Sequence, residues 1–143
     1  MSGEKKTLAD IQEYWSEAAK IAADAQNLRP TARDPHLQVV VEAIMERWLH
    51  ARATLLDIGC GDGLSTLRFS RRVSQAIGVD FVNEYVTKAK ANAMNRAISN
   101  VEFEVGNVLD LAELRRWRGT FDIVTTIRCI INLPSWDNQA NAI

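Results

Sequence analysis

The 143-residue sequence predicts an α/β fold, a parallel sheet with helices on both faces, preceded by two further helices. Three observations predict it. From residue 53 onward, short apolar runs alternate with helical stretches, which is the rhythm of right-handed βαβ units. One of those runs passes straight into a glycine-rich turn that opens a helix. Before residue 53, apolar residues recur at helical rather than strand spacing. The chain therefore divides into a helical extension over 1–52 and an α/β domain over 53–143.

The elements follow in order. Thr7 and Asp10 resemble a capping box, and Leu8, Ile11, Trp15, Ala18 and Ala22 fall on one face of a first helix. The stretch Asn27 to Arg33 breaks that pattern around Pro30. A second helix begins with Asp34 as N-cap and Pro35 in the first helical position. Leu37, Val40, Val41, Ile44 and Trp48 form its apolar stripe, so this face is expected to be buried. Ala53 to Ile58 is the first strand, followed by the glycine turn and a helix from about Leu64 to Val73. Gln75 to Val79 is the second strand, followed by a helix over Asn83 to Asn95. Val101 to Val105 and Phe121 to Thr126 are the third and fourth strands. Ser135 to Gln139 reads as the N-cap and first turn of a last helix. No internal repeat, low-complexity tract or linker interrupts the pattern.

Composition bounds the function classes. With 47% hydrophobic and 24% charged residues the chain is an ordinary globular sequence. Its 17 basic and 18 acidic residues give a net charge of −1, which supplies no argument for a nucleic-acid or membrane partner. Arg115, Arg116 and Arg118 are the densest basic cluster and read as a solvated helix face. Cys60 and Cys129 form no C-x-x-C pair, and with His36 and His50 they cannot assemble a zinc set. A disulfide scaffold does not fit this cysteine density, and the start carries no apolar leader, so a cytoplasmic location is expected.

The chemistry-bearing stretch is Leu55-Leu56-Asp57-Ile58-Gly59-Cys60-Gly61-Asp62-Gly63. Glycines at 59, 61 and 63 let the backbone turn sharply and let a ligand approach it closely. The helix that follows points its free N–H groups and positive dipole end toward that ligand. Asp80 closes the next strand, where a carboxylate can accept hydrogen bonds from both hydroxyls of an adenosine ribose. Dinucleotide dehydrogenases share this logic, but their G-x-G-x-x-G fingerprint needs glycine at position 64, which is Leu64. Asp57 has no part in pyrophosphate binding, whereas a carboxylate suits a ligand carrying an ammonium and a sulfonium.

At this point the sequence resembles the class I, Rossmann-like S-adenosylmethionine (SAM) dependent methyltransferases. Asp57 to Gly63 looks like the first motif of that family, whose glycine turn cradles the methionine part of SAM. The resemblance implies a cofactor site of Asp57, Gly59, Cys60, Gly61, Asp62 and Gly63. Asp80 matches the acid that holds the ribose, and Phe81 falls where an apolar residue meets the adenine. Val105-Gly106-Asn107-Val108 is similar to the third motif. There Asn107, in place of the commoner Asp, would accept from the adenine amino group and Val108 would pack on the ring. Phe121 to Val124 matches the fourth strand, after which Thr126, Ile127 and Arg128 would line the methionine end and the substrate mouth.

Plainer roles compete for single residues. Asp57 taken alone reads as a strand-end acid and Asp80 as a helix cap. Cys60 reads as packing rather than catalysis, Cys129 and Ile130 as core, His36 and His50 as surface, and Trp48 as core. Tyr14 and Trp15 read as packing ahead of a lid over the cofactor. Four motifs in register outweigh these single readings.

Methyl transfer from SAM needs alignment and exclusion of water more than an acid or base, so no catalytic residue is assigned. The Asn/Asp-Pro-Pro-Tyr/Phe motif for planar amine acceptors is absent, since Asn132-Leu133-Pro134-Ser135 lacks the second proline. A small-molecule acceptor is the default expectation. The family sheet has seven strands and this sequence supplies four, so the fold is expected to be C-terminally incomplete. Its fourth strand would form an exposed edge, open to a homodimer partner or a completing chain. Two alternatives stand beside a methyltransferase: a silent SAM-binding module, and an aminopropyl transferase, disfavoured because Thr125 to Leu133 holds no carboxylate.

Overall fold

A computed structural model describes residues 7–24, 34–110 and 115–143. Four runs rich in β-branched and apolar residues form the sheet: β1 (Thr54–Ile58), β2 (Gln75–Asp80), β3 (Val101–Val105) and β4 (Ile123–Thr126). All pair in parallel, in the order β3-β2-β1-β4. The register aligns Leu55 with Ala76 and Ile123, and Ala76 with Val101, so these side chains share one face. Leu56, Ile77, Glu102 and Val124 share the other.

The first face carries the core. Helices α3 (Leu64–Phe69) and α4 (Asn83–Asn95) are the β1–β2 and β2–β3 crossovers, and right-handedness puts both on this side. Leu55, Leu67, Phe69, Val86, Ala89 and Phe103 pack there in one buried cluster. Each large side chain so buried contributes about 1.5–3 kcal/mol. The ring of Phe103 occupies the space where Cβ atoms would stand on both Gly63 and Gly78. From β3 the chain returns past β2 and β1 to reach β4, so the same handedness sends this connection to the second face. In its described residues the connection contributes a single 3₁₀ turn, Arg115–Trp117, and Val124 is 57% exposed on that face. Arg115, Arg116 and Arg118 are exposed here. Arg116 pairs with Glu104 and lies 4.4 Å over the ring of Trp117.

Several boundaries shift from those expected. β1 begins at Thr54 and β4 at Ile123, while β2 runs on through Asp80. Helix α3 stops at Phe69 and tightens into a 3₁₀ turn, Ser70–Arg72. A final helix, α5 (Trp136–Asn141), starts where Ser135 Oγ accepts from the Asn138 N–H at 3.1 Å.

Two helices precede the sheet, α1 (Leu8–Asp24) and α2 (Pro35–Met45), the second continuing into a 3₁₀ turn, Glu46–Trp48. The Thr7–Asp10 box forms reciprocally, Thr7 N donating to Asp10 at 2.7 Å and Asp10 N to the Thr7 hydroxyl at 3.2 Å. Asp34 caps α2 by accepting from the N–H groups of His36 and Leu37. The break over Asn27 to Arg33 and the side chain of Ala22 lie outside the described residues.

The expected apolar stripe of α2 is overturned. Leu37, Val40 and Ile44 are each more than half exposed and Trp48 is 78% exposed, whereas Gln38 and Glu42 are buried. The reason is the surface α2 meets. Helix α3 presents Ser65 and Arg68, so a polar face of α2 finds partners there that its apolar face would not. Gln38 Nε2 donates to Glu42 at 2.7 Å and to Ser65 at 3.0 Å, and Ser65 Oγ donates to Glu42 at 2.5 Å. Arg68 then bridges Glu42 and Glu46. None of the described helices is long and apolar enough to cross a membrane.

Candidate functional site

Parallel pairing brings every strand's C-terminal end to one edge of the sheet. At that edge the chain leaves β1 toward β2 on one side, while β4 flanks β1 on the other. This divergence opens the crevice where α/β sheets take ligands. A cavity of about 620 Å³ occupies it. Its wall takes Asp57, Gly59, Cys60, Gly61 and Asp62 from the end of β1, and Asp80 and Phe81 from the end of β2. Asn107 and Val108 after β3 and Ile127 after β4 complete that side. The structure thus brings together ten of the residues singled out from the sequence.

Two fall outside the wall. Gly63 adopts φ +76°, and a Cβ there would stand 2.7 Å from both Ala89 and the Phe103 ring. It serves the approach of α3 to α4 and β3. Thr126 lies two residues from exposed Val124, on the same sheet face, and is itself exposed. Its side chain belongs to the second face of the sheet and not to the cavity.

The glycine turn is held by backbone bonds. Gly59 N and Cys60 N both donate to Val79 O, at 2.8 and 3.1 Å. Gly59 sits at φ +73°, and a Cβ there would stand 2.5 Å from Cys129 Cβ. The Asp80 carboxylate spans the next turn, accepting from Gly61 N at 2.9 Å and from Val82 N at 3.0 Å. Burial pushes its pKa up, against the N–H groups of Val82, Gly61 and Phe81, which favour the charged form.

Asp57 is held differently, by hydroxyls. Thr66 Oγ1 donates to Oδ2 at 2.5 Å and Thr125 Oγ1 to Oδ1 at 2.9 Å. Burial raises its pKa to about 6; the two hydroxyls pull it down, while Asp80 and Glu42 push it further up. Asp62 accepts from Leu64 N through its side chain and from Asn92 through its carbonyl. Asn107 Oδ1 accepts from Leu109 N at 3.0 Å, leaving a second lone pair on that oxygen. Burial pushes the Cys60 thiol well above its usual range and Cys129 up to about 11, so neither supplies a thiolate at neutral pH.

Among the wall residues outside the predicted set, Gln38, Tyr85 and Arg128 carry polar groups that bear on the site. Gln38 was hidden because a glutamine on a helix carries no motif. Tyr85 Oη and Arg128 Nε are buried and without a hydrogen-bond partner. The sequence places Arg128 at the mouth without disclosing its left-handed backbone, φ +56°. Trp15 packs with Ala19, Phe81, Val82 and Tyr85, and it also lines the cavity, as does Tyr14, whose ring meets it edge-on.

A parallel 3-2-1-4 sheet with a glycine turn and strand-end acids around one cavity defines a Rossmann-like nucleotide-binding fold of the class I methyltransferase type. The sequence profile of the methyltransferase domain family matches residues 49–141, and the chain belongs to that family. The chain is 38% identical over 74 residues to the human tRNA (uracil-5-)-methyltransferase homolog A, covering 50% of this chain and 12% of that protein. It is 31% identical over 96 residues to the ubiquinone biosynthesis O-methyltransferase of Xanthomonas axonopodis pv. citri, covering 67% of this chain and 39% of that one. Among solved structures, PKMT2 of Rickettsia typhi in complex with AdoHcy superposes with a TM-score of 0.53 at 30% identity. That superposition covers 62% of this chain and 17% of that one. The chain thus spans well under half the length of each of these proteins.

The expectation of no nucleic-acid partner is corrected by these relatives, among which RNA methyltransferases are prominent. It rested on a net charge of −1. A whole-chain sum says nothing about an acceptor held by a few residues.

Proposed function

We propose that the chain binds S-adenosylmethionine in this cavity and takes part in methyl transfer from it. The observation that carries the reading is the order of groups along the sheet edge. Asn107 and Val108 stand at the end of β3, Asp80 and Phe81 at β2, the glycine turn with Asp57 at β1, and Ile127 at β4. That is the order in which adenine, ribose and methionine follow one another in the cofactor. The residues fit the group in three further ways. The turn presents a backbone that a Cβ would obstruct at Gly59. Tyr85 Oη offers a buried, unpartnered hydroxyl to the wall. The carboxylates of Asp34, Asp57, Asp62 and Asp80 suit a ligand bearing a sulfonium and an ammonium.

When bound, the cofactor supplies a methyl group already activated by its sulfonium. The chain's residues bind and orient it: Asp80 receives the ribose, Phe81 and Val108 flank the adenine, Asn107 accepts from its amino group, and Asp57 faces the cationic end. Trp15 and Ile127 wall off water. With both thiols protonated, attack falls to the acceptor and not to Cys60 or Cys129.

Calorimetric titration with AdoHcy tests the site. Binding should fall at least tenfold in Asp80→Ala, a loss of about 1.4 kcal/mol, and by less in Asp80→Asn, which keeps one acceptor oxygen. A folded chain that binds no AdoHcy overturns the reading. For the acceptor, RNA is the class offered first, because the human relative is named for a tRNA uracil. Labelled methyl appearing in tRNA supports it. Label appearing only on the oxygen of a small-molecule hydroxyl acceptor assigns the chain to O-methylation, the reaction for which the Xanthomonas relative is named.

A further inference from the structure

The two edges of the sheet carry opposite charge. The cavity at the strand ends is lined by four carboxylates and, among the described residues, one cationic side chain. At the strand starts the balance reverses. The segments that enter the four strands, 46–53, 70–74, 96–100 and 115–122, hold eight arginines and two carboxylates, Glu46 and Asp122. Both acids are engaged within the fold, Glu46 by Arg68 at 2.7 Å and Asp122 by the Thr54 N–H at 2.8 Å. Glu102, the second residue of β3, still leaves this edge strongly basic. Arg47, Arg52, Arg71, Arg72 and Arg118 are all exposed, and none has an ion pair among the described residues. Arg72 reaches Glu46 only through its field. The segments are also tied to one another. Ser74 N donates to Ala53 O at 2.8 Å, Asn100 Nδ2 to Ser70 O at 2.8 Å, and Asp122 N to Thr54 O at 3.1 Å. The arginines therefore stand on one braced edge whose backbone has little freedom left to lose on binding.

Cations that the fold itself does not neutralise, held in a row, suit a polyanion. The spacing suits a nucleic-acid backbone. Arg71, Arg52 and Arg118 precede β2, β1 and β4, which are neighbours in the sheet, so they span about 10 Å at ordinary strand spacing. Phosphates recur about every 3.4 Å along one strand of a duplex and farther apart when it is stretched, so the row meets several in succession. The same edge carries Trp48, 78% exposed between Arg47 and His50, and an exposed ring among arginines is a platform for an unstacked base. We propose that this edge docks a single-stranded stretch of RNA, with Arg47, Arg52, Arg71, Arg72 and Arg118 on its phosphates and Trp48 on a base. The choice of RNA rests on the acceptor class offered above; the docking surface does not depend on the cofactor reading. The cavity lies at the far ends of the strands, about 17 Å away for five residues, and its acids repel phosphate. One edge then holds the backbone while the other receives a single nucleotide of the same molecule.

Two pairs of substitutions that remove the same charge isolate the surface. Fluorescence anisotropy with a labelled, unstructured RNA oligonucleotide of mixed sequence is read over a range of salt concentrations. The proteins are the wild-type chain, the Arg52→Gln/Arg71→Gln pair, and the Lys20→Gln/Lys90→Gln pair, whose lysines are exposed on α1 and α4. The arginine pair should weaken RNA binding at least tenfold and flatten the slope of log K against log salt by about 1.4, and the lysine pair should weaken it less than twofold. Trp48→Ala should weaken it at least fivefold with the slope unchanged. Equal losses in the two pairs would mean that the RNA senses only net charge, and would overturn the proposal. A wild-type chain that binds no RNA overturns it too, and one that binds vesicles containing phosphatidylserine more tightly than RNA gives the edge to a membrane instead. Thermal melts and AdoHcy titrations of the variants, expected to match the wild type, control for an intact fold. RNA binding is read without cofactor. A chain that docks RNA but binds no AdoHcy therefore overturns the cofactor reading and supports this one, and RNA that docks here without taking up labelled methyl overturns only the choice of acceptor.

Discussion

Two turns leave neighbouring parallel strands and enter the same cavity, one after β1 and one after β4. Both need backbone in the left-handed region. The first meets the need with glycine, at φ +73° for Gly59, and the second with an arginine at φ +56°. The glycine turn is relaxed and leaves its backbone open to a ligand. The other accepts strain in order to keep a side chain at the cavity. An open backbone and a side chain held at the cavity thus make opposite demands on the same conformation, and the two turns divide them.

The largest expected effect comes from making the first turn resemble the second. Gly59→Ala places a Cβ 2.5 Å from Cys129 Cβ on a left-handed backbone. The conformation costs about 1–2 kcal/mol and the overlap about 1–3 more, so a denaturant melt should show a loss of about 2–5 kcal/mol. A loss under 1 kcal/mol would mean that the two turns differ less than their geometry says.

Asp57 links the strands from which the turns depart, since it lies in β1 and accepts from Thr125 of β4. Its folded pKa, about 6, stands above the ordinary 3.8, so the folded chain holds this proton more tightly than the unfolded one. The stabilisation from protonation is full below about pH 4 and is lost as pH rises through 6. Relative to Asp57→Asn, the wild type should lose up to about 3 kcal/mol of stability between pH 4 and 7. Urea melts across that range check it, and parallel curves for the two proteins would show that Asp57 is not desolvated. AdoHcy binding should weaken in Asp57→Asn at neutral pH.

The smallest effect is a gain. Arg128→Gly removes the strain of the second turn and the orphaned Nε, at the cost of one hydrogen bond to Gln38. A net stabilisation of about 1 kcal/mol is expected, visible as a rise in Tm. A fall in Tm would mean that the arginine, not the surrounding loop, sets the turn.

The first turn was legible in the sequence and the second was not. Glycines between a strand and a helix announce their conformation, because no other residue adopts it freely. Nothing in Thr126-Ile127-Arg128 announces a left-handed arginine, which arises from the loop closing on Asn132, whose Nδ2 donates to the Arg128 carbonyl. The strands were legible for a related reason, since a run such as Leu55-Leu56, buried on both faces, states its burial locally. The buried face of α2 was not. Gln38 and Glu42 are buried because Ser65, Arg68 and Arg128 meet them across sequence gaps of 23 to 90 residues, and helical periodicity contains no such partner. Thr126 was misplaced because a motif fixes the strand but not which sheet face each residue takes, and Gly63 because its partner, Phe103, lies on another strand.

Phe103 gives the glycine motif a second meaning. Its ring fills the room that Cβ atoms would claim on Gly63 and on Gly78, one at the start of α3 and one in β2. The two glycines are the mould and the ring is the cast, so the size of one aromatic dictates the absence of two side chains elsewhere. The pattern from Asp57 to Gly63 therefore serves two ends at once: its opening residues shape the wall of a cavity, and its last glycine follows the outline of a neighbour.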